Sequence, residues 1–184
     1  MTQPLPPIER STSVPWTQDA AFQRFTADFA TWWPVATHSI GGNLVKRVVF
    51  ECRVGGRIYE EFHDGRRFQW GKVTTWDPPR RVGFTWHASK DERTAQDVEV
   101  RFEPHGAGTR VTLTSSGWEK LGREAGRARK GYQVGWGSVL EVFAGRRNTA
   151  PPTGRPHWPL VLGPGAAYEL LLSHRTKAEF RSLR

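Results

Sequence analysis

Polar and apolar residues alternate over much of the chain up to Ser116, and this pattern predicts strands. Successive side chains of a strand point to opposite faces, so a two-residue period indicates a sheet with one buried and one solvated face. Residues 8–14 form the first such segment, and Pro15 ends it. Six more follow, separated by turns that contain Gly, Asp or Pro: 45–53, 57–62, 68–76, 82–87, 98–102 and 110–115. Their short, regular separations predict an antiparallel meander.

Two segments have the three- and four-residue spacing of helices. The first follows Thr17, a residue type that caps helices, and extends to Trp33, where Pro34 would end it. The second is a long helix over 119–147. This order of elements predicts an α+β fold in which a curved antiparallel sheet of about seven strands wraps around the long C-terminal helix, because only that helix can cover the concave face.

A change in composition marks a boundary near Asn148. Residues 148–164 are rich in Pro, which is typical of a linker, and residues 166–183 have a weak amphipathic pattern with several basic residues. We therefore divide the chain into a domain at 1–147 and a tail at 148–184, to which the sequence assigns no role.

The composition predicts one independently folding domain. A chain of 184 residues, 37% of them apolar, can bury a core of its own. It contains no apolar stretch of about 18 residues and no export signal at its N-terminus, so we expect a soluble, cytoplasmic protein without membrane insertion. The single cysteine, Cys52, excludes an internal disulfide, and strand alternation predicts that it is a core residue.

The net charge of +9 is concentrated in the last third of the chain. Residues 119–184 contain twelve Lys and Arg against five Glu, a net of +7. Such asymmetry can indicate an acidic partner or nucleic acid. Because no run of basic residues exceeds two, the pattern does not favour nucleic acid.

The motifs of common enzyme and cofactor sites are absent from the sequence. No Gly-x-Ser-x-Gly turn occurs, and no two of the six His have the spacing that lets neighbouring imidazoles share a metal. The run Gly163-Pro-Gly165 imitates a dinucleotide-binding turn, but Tyr168 replaces the small residue required and the chain ends at Arg184. We therefore predict no metal, no cofactor and no activated nucleophile.

Short motifs in a fixed order resemble one known family. They include Trp32-Trp33-Pro34, His38-Ser-Ile-Gly-Gly42, Gly55-Gly-Arg-Ile-Tyr-Glu60, Asp77-Pro-Pro79, Phe84-Thr-Trp86, Gly117-Trp118 and Gly135-Trp136. Over about residues 8–145, the sequence resembles the helix-grip (START-like, SRPBCC) superfamily, in the branch named for activators of the heat-shock-protein-90 ATPase. The resemblance implies a cavity between the sheet and the long helix that suits an apolar ligand. The superfamily includes carriers, receptors and polyketide cyclases, so it implies the fold more firmly than the activity.

Aromatic residues are the candidate lining of that cavity. Strand alternation places Phe84 and Trp86 on the inner face, and helical spacing places Tyr132 and Trp136 on the inner stripe of the long helix. We predict that these four side chains meet and contact a ligand; the alternative is that they only fill the core. His38 lies in a loop near one mouth of the expected cavity, where it would contact ligand or serve the loop itself.

Glu60 is the candidate polar group of the site. It shares a strand face with Ile58 and Phe62, so it points inward if they do. The other register would place Tyr59 and Glu61 inside instead. A buried carboxyl needs a partner or a raised pKa. We expect Glu60, if inward, to be engaged by a basic or hydroxyl side chain and to have a structural or ligand-orienting role.

These observations predict a non-enzymatic protein that binds a small apolar or amphipathic molecule in the cavity. One alternative is a co-chaperone-like domain that binds a chaperone or another protein. A second alternative is a cyclase- or hydrolase-type enzyme that uses Glu60 as a cavity carboxyl.

Overall fold

The computed structural model describes residues 4–88 and 91–146. The strands of this part of the chain are β1 Ile8–Val14, β2 Val45–Phe50, β3 Arg57–Phe62, β4 Arg67–Asp77, β5 Arg81–Trp86, β6 Gln96–His105 and β7 Gly108–Ser116. The α-helices are α1 Gln18–Thr26, α2 Phe29–Trp32, α3 Val35–His38 and α4 Ala125–Phe143. Three short 3₁₀ segments lie at Gly42–Leu44, Glu92–Thr94 and Trp118–Glu124. The predicted tail at 148–184, with its Gly163 turn, lies outside the described residues.

The strands form a single antiparallel sheet in the order β1-β7-β6-β5-β4-β3-β2. Strands β2 to β7 follow one another as hairpins, and β1 pairs with the outer edge of β7. Helix α4 packs across the inner face of this sheet, where Trp136 meets Trp86, and its last residue, Phe143, meets Phe25 of α1. The predicted α+β helix-grip architecture is therefore confirmed.

Burial along the strands follows the predicted alternation. On β6, Val98, Val100 and Phe102 are buried, whereas Arg101 and Glu103 are exposed. Strand β3 departs from the pattern because both of its faces are covered. Its inner face packs on the core, and arginine side chains from neighbouring positions cover the outer face.

The first predicted helix is broken into α1 and α2, and α3 follows after Pro34. Thr17 caps α1 as expected, since its Oγ1 accepts from the N–H of Ala20 at 3.3 Å. The chain then folds back, and the indole N–H of Trp32 donates to the carbonyl of Arg24 at 2.7 Å. Trp33 is extended, with φ −59° and ψ 128°, because the residue before a proline avoids the helical region.

Two further element boundaries differ from the prediction. The long helix begins at Ala125 instead of residue 119, because Gly122 has a φ of +55° and separates α4 from the preceding 3₁₀ segment. Strand β2 ends at Phe50, so Cys52 is exposed in the turn after it and is not a core residue. The turn is tight at Gly56, where an added Cβ would lie 2.2 Å from the carbonyl oxygen of Glu51.

Candidate functional site

Six aromatic residues form a continuous group between the sheet and the helices. This group, called the aromatic site below, consists of Trp33, Trp70, Phe84, Trp86, Tyr132 and Trp136, each between 1% and 4% exposed. Strands β4 and β5 supply three of them, α4 supplies two, and the turn before α3 supplies Trp33. The fold thus brings together the four aromatic residues that the sequence predicted to meet, Phe84, Trp86, Tyr132 and Trp136.

Close strand approach brings two of the indoles together. Gly71 follows Trp70 on β4, and an added Cβ at Gly71 would lie 1.7 Å from the carbonyl oxygen of Thr85. Without a side chain there, β4 and β5 come close enough for the rings of Trp70 and Trp86 to lie 5.4 Å apart, centroid to centroid. Glycine at this position is therefore part of how the site is built.

The rings of the aromatic site are in direct contact. Trp86 lies 5.2 Å from Trp136 and 5.6 Å from Trp33, and Trp33 lies 5.3 Å from Trp70. These centroid distances are those of packed aromatic pairs, which prefer offset or edge-to-face arrangements. A ligand would therefore lie beside these rings or displace one of them, since the space between Trp86 and Trp136 is filled.

Tyr132 adds a polar group at the α4 side. Burial raises the pKa of its phenol, and a hydrogen bond with Trp86 opposes that rise. Its ring lies 6.5 Å from Trp136 and 5.1 Å from Trp118. The hydroxyl is thus neutral and is held inside the aromatic site.

Glu60 points to the inner face of the sheet, so the structure has the first of the two registers that the sequence left open. Its side chain is 0% exposed. The N–H of Ile40 donates to its Oε2 and the N–H of Gly41 to its Oε1, both at 3.1 Å. Burial raises the pKa of this carboxyl to about 7, while the two amide bonds act in the opposite direction. At neutral pH the group is therefore poised between its two protonation states.

The partners of Glu60 differ from the expectation of a basic or hydroxyl side chain. They are backbone amides of the loop between α3 and β2. Gly41 is needed for that approach, because an added Cβ would lie 2.4 Å from the ring of Phe62. The arginines that sequence reasoning looked for lie on the other face of β3, where Arg47 and Arg67 bind Glu61.

His38 is the last residue of α3, directly before this loop, and is buried. Its Nδ1 lies 2.7 Å from Thr37 Oγ1, and its carbonyl accepts the indole N–H of Trp33 at 3.2 Å. The rings of Trp33 and His38 are 6.4 Å apart. His38 therefore joins the loop that holds Glu60 to one end of the aromatic site.

Sequence reasoning missed Trp33 and Trp70. Trp33 was assigned to the end of a helix, although the proline after it signals an extended residue that can turn its ring inward. Trp70 lies two positions after Phe68 in a segment already assigned to a strand, so the same alternation that selected Trp86 could have selected it.

A polar pocket of about 680 Å³ lies on the outer face of the sheet. Its lining includes Ser11, Thr75, Glu99, Arg101 and Thr112, which project from β1, β4, β6 and β7. None of the predicted site residues borders it. Its polar lining does not match the apolar ligand that the sequence predicts.

Neither a metal cluster nor a membrane-spanning helix occurs in the part of the chain that the structure describes. Within residues 4–88 and 91–146, no group of three or more His, Cys, Asp or Glu is placed to hold a metal ion. The helices of these residues include none that is long and apolar enough to cross a bilayer.

A curved sheet closed by a long C-terminal helix defines a helix-grip protein of the START-like class. The chain belongs to the family of activator of Hsp90 ATPase homolog 1-like proteins, whose sequence profile matches residues 16–146. The resemblance inferred from the short motifs is therefore confirmed.

Solved structures with this fold include one at substantial sequence identity. Txn09, described as an anthrahydroquino-γ-pyrone synthase, is 33% identical, with 80% of this chain and 100% of that chain covered and a TM-score of 0.52. Mll3558 from Rhizobium loti is 21% identical over 79% and 100% of the two chains, with a TM-score of 0.56. The Aha1 dimer from Colwellia psychrerythraea is 16% identical over 78% and 100%, with a TM-score of 0.53. The last two support the fold alone. No protein with a curated description matches the sequence.

Proposed function

We propose that this protein binds a small, largely apolar molecule with a flat aromatic ring system at the aromatic site. The observation that carries the proposal is the contact group of four indoles, Trp33, Trp70, Trp86 and Trp136, buried between the sheet and α4. Indole rings offer large flat apolar faces with one polar edge, which suits a ligand of the same character. Aliphatic side chains would fill a core of this size without buried N–H groups.

The relationship to Txn09 supports a ring-system ligand. That protein is described as a synthase of an anthrahydroquino-γ-pyrone, and it aligns over its whole length at 33% identity. A shared fold does not by itself carry an activity from one chain to the other. The proposal for this chain therefore extends only to the shape and polarity of the ligand.

The test is mass spectrometry of small molecules that copurify with the protein, followed by calorimetric titration of the compound found. Trp136→Phe removes part of the aromatic site, and Trp76→Phe makes the same change on β4 beside Phe22, outside the site. We expect the compound to be depleted from Trp136→Phe and retained by Trp76→Phe. Equal recovery from both variants would show that the compound binds elsewhere.

A second candidate function is acid–base catalysis by Glu60. The observation in its favour is the pKa of about 7, which lets one carboxyl accept and return a proton at neutral pH. The reaction class would be a ring closure or a hydrolysis of the bound molecule. This role requires the substrate to reach a carboxyl whose two oxygens already accept amide hydrogen bonds.

Glu60→Gln separates binding from catalysis, because it keeps the side-chain size and removes the ionisable group. With the copurified compound in hand, unchanged affinity together with lost turnover would make Glu60 a catalytic residue. Unchanged turnover, or none in the wild type, would leave it a positioning residue for the loop.

A co-chaperone-like role is the remaining alternative, and the family description is what supports it. Its test is the ATPase rate of an Hsp90-type chaperone with and without the full chain. An increase in that rate would favour a protein partner over the small ligand. A cytoplasmic location stays a prediction in either case.

A further inference from the structure

Trp70 buries a hydrogen-bond donor that has no acceptor. Its side chain is 1% exposed, and its Nε1 has no partner within residues 4–88 and 91–146. Three other buried indoles of this part of the chain donate to backbone carbonyls. Trp32, Trp33 and Trp118 donate to the carbonyls of Arg24, His38 and Ser115 at 2.7, 3.2 and 3.0 Å. A buried N–H without an acceptor destabilises a fold by about 1–3 kcal/mol, so the Trp70 N–H carries a cost that a bound acceptor would remove.

The position of Trp70 links this donor to the aromatic site. Its ring lies 5.3 Å from Trp33 and 5.4 Å from Trp86, so it contacts two other members of the indole group. Its ring neighbours are all aromatic, and a phenylalanine at this position would pack against them without a buried donor. An acceptor on a molecule that enters the site would satisfy this N–H.

We propose that Trp70 Nε1–H is a ligand-recognition group that donates to a carbonyl oxygen on the flat aromatic ligand. The inference rests on the proposed function and adds the ligand's polar group: an acceptor in or on the ring system, as in a quinone or a γ-pyrone. An indole N–H can only donate a hydrogen bond, so it pairs with an acceptor such as a carbonyl oxygen. A hydrocarbon of the same shape leaves the donor unpaired and binds more weakly.

The test compares two probes that differ in one group. Xanthone has a ring carbonyl, and xanthene has a methylene in its place. Full-length protein labelled with ¹⁵N in its tryptophans gives one indole signal for each of nine tryptophans, and the signal lost in Trp70→Phe identifies Trp70. We expect xanthone to move the Trp70 N–H signal downfield and to slow its exchange with water. Xanthene should do neither.

Affinity provides a second, independent measurement. One hydrogen bond of this kind contributes up to about a tenfold preference for xanthone over xanthene in the wild type. Trp70→Phe should abolish this preference, whereas Trp76→Phe should leave it unchanged. The smaller phenyl ring of Trp70→Phe weakens the packing of both probes alike. The ratio of the xanthone and xanthene affinities is therefore compared instead of either affinity alone.

The outcomes separate this inference from the proposed function. If both probes bind equally well and the Trp70 signal does not distinguish them, the carbonyl contact is wrong while the aromatic site still binds ligands. If neither probe moves any indole signal, the ligand class is wrong, and the copurification experiment then tests the broader proposal alone. If Trp70→Phe does not fold, the wild-type affinities still decide: equal affinity for xanthone and xanthene overturns the inference, and a preference for xanthone supports it.

Discussion

Glu60 and Glu61 are neighbours on β3, and their carboxyl groups lie on opposite faces of the sheet in opposite environments. Glu60 is 0% exposed and accepts two backbone amides, so burial raises its pKa to about 7. The Glu61 side chain is 8% exposed and lies beside Arg47 and Arg67. Hydrogen bonding to Arg47, assisted by Arg67, lowers the pKa of Glu61. Strand alternation thus gives two identical residues different protonation chemistry.

The raised pKa of Glu60 predicts that the protein loses stability as the pH rises. Between pH 4.5 and 7 the folded state holds a proton on Glu60 that the unfolded state has released, so raising the pH favours unfolding. The difference from 4.5 to about 7 corresponds to about 3 kcal/mol across this window. Chemical denaturation at several pH values measures it.

The matched variants for this prediction are Glu60→Gln and Glu103→Gln. Glu60→Gln should flatten the decline between pH 4.5 and 7, because the titrating group is gone. Glu103 is exposed on β6, so Glu103→Gln should keep the wild-type curve. Parallel curves for wild type and Glu60→Gln would mean that Glu60 titrates alike in the folded and unfolded states.

The sequence limited Glu60 to two directions, but it revealed neither which one holds nor the partners of the carboxyl. Alternation places Glu60 on the same face as Ile58 and Phe62, a local property of one strand, and does not say which face is buried. The partners, Ile40 and Gly41, are about twenty positions away and contribute only backbone N–H groups, which no side-chain pattern reveals. A basic or hydroxyl side chain was therefore expected where the structure has two amides.

The difference between local pattern and distant contacts also explains why some predicted element boundaries were wrong. Strand interiors were predicted well, because hydrophobic alternation repeats over several residues. Element ends depend on single backbone conformations, such as the tight turn at Gly56 that leaves Cys52 exposed and the positive φ of Gly122 that delays the start of α4. Propensity alone does not reveal which glycine in a glycine-rich segment adopts such a conformation.

Gly41→Ala tests whether close approach of the loop to Phe62 is needed. The new Cβ would lie 2.4 Å from the Phe62 ring, so the loop or the ring must move. We expect a loss of about 1–3 kcal/mol in the free energy of unfolding. Gly137→Ala, in the middle of α4, adds a Cβ at an ordinary 3.6 Å from Arg10 and should stabilise the protein by about 0.5–1 kcal/mol. Equal effects of the two changes would contradict the crowding argument.

Trp136→Ala tests whether the aromatic site is packed in the absence of ligand. Trp136 is 1% exposed and contacts Trp86, so removal of its ring should destabilise the protein by about 3–5 kcal/mol. Val134→Ala, on the exposed side of the same helix, should change stability by less than about 0.5 kcal/mol. A small effect of Trp136→Ala would indicate that its ring borders open space already available to a ligand.

Truncation after Asn148 tests the predicted domain boundary. Helix α4 ends at Phe143, which is buried against Phe25, Trp32 and Trp16, so the last helical contact with the core precedes the cut. The chain beyond it follows the Pro-rich pattern of a linker. We therefore expect residues 1–148 to fold, with a melting temperature close to that of the full chain in calorimetry. Because the buried contacts of α4 are retained, the truncated chain should also keep the copurified compound.

A large drop in the melting temperature would mean that Trp158 and the apolar run 160–162 contribute to the core. Loss of the compound at an unchanged melting temperature would instead assign the tail to the ligand site.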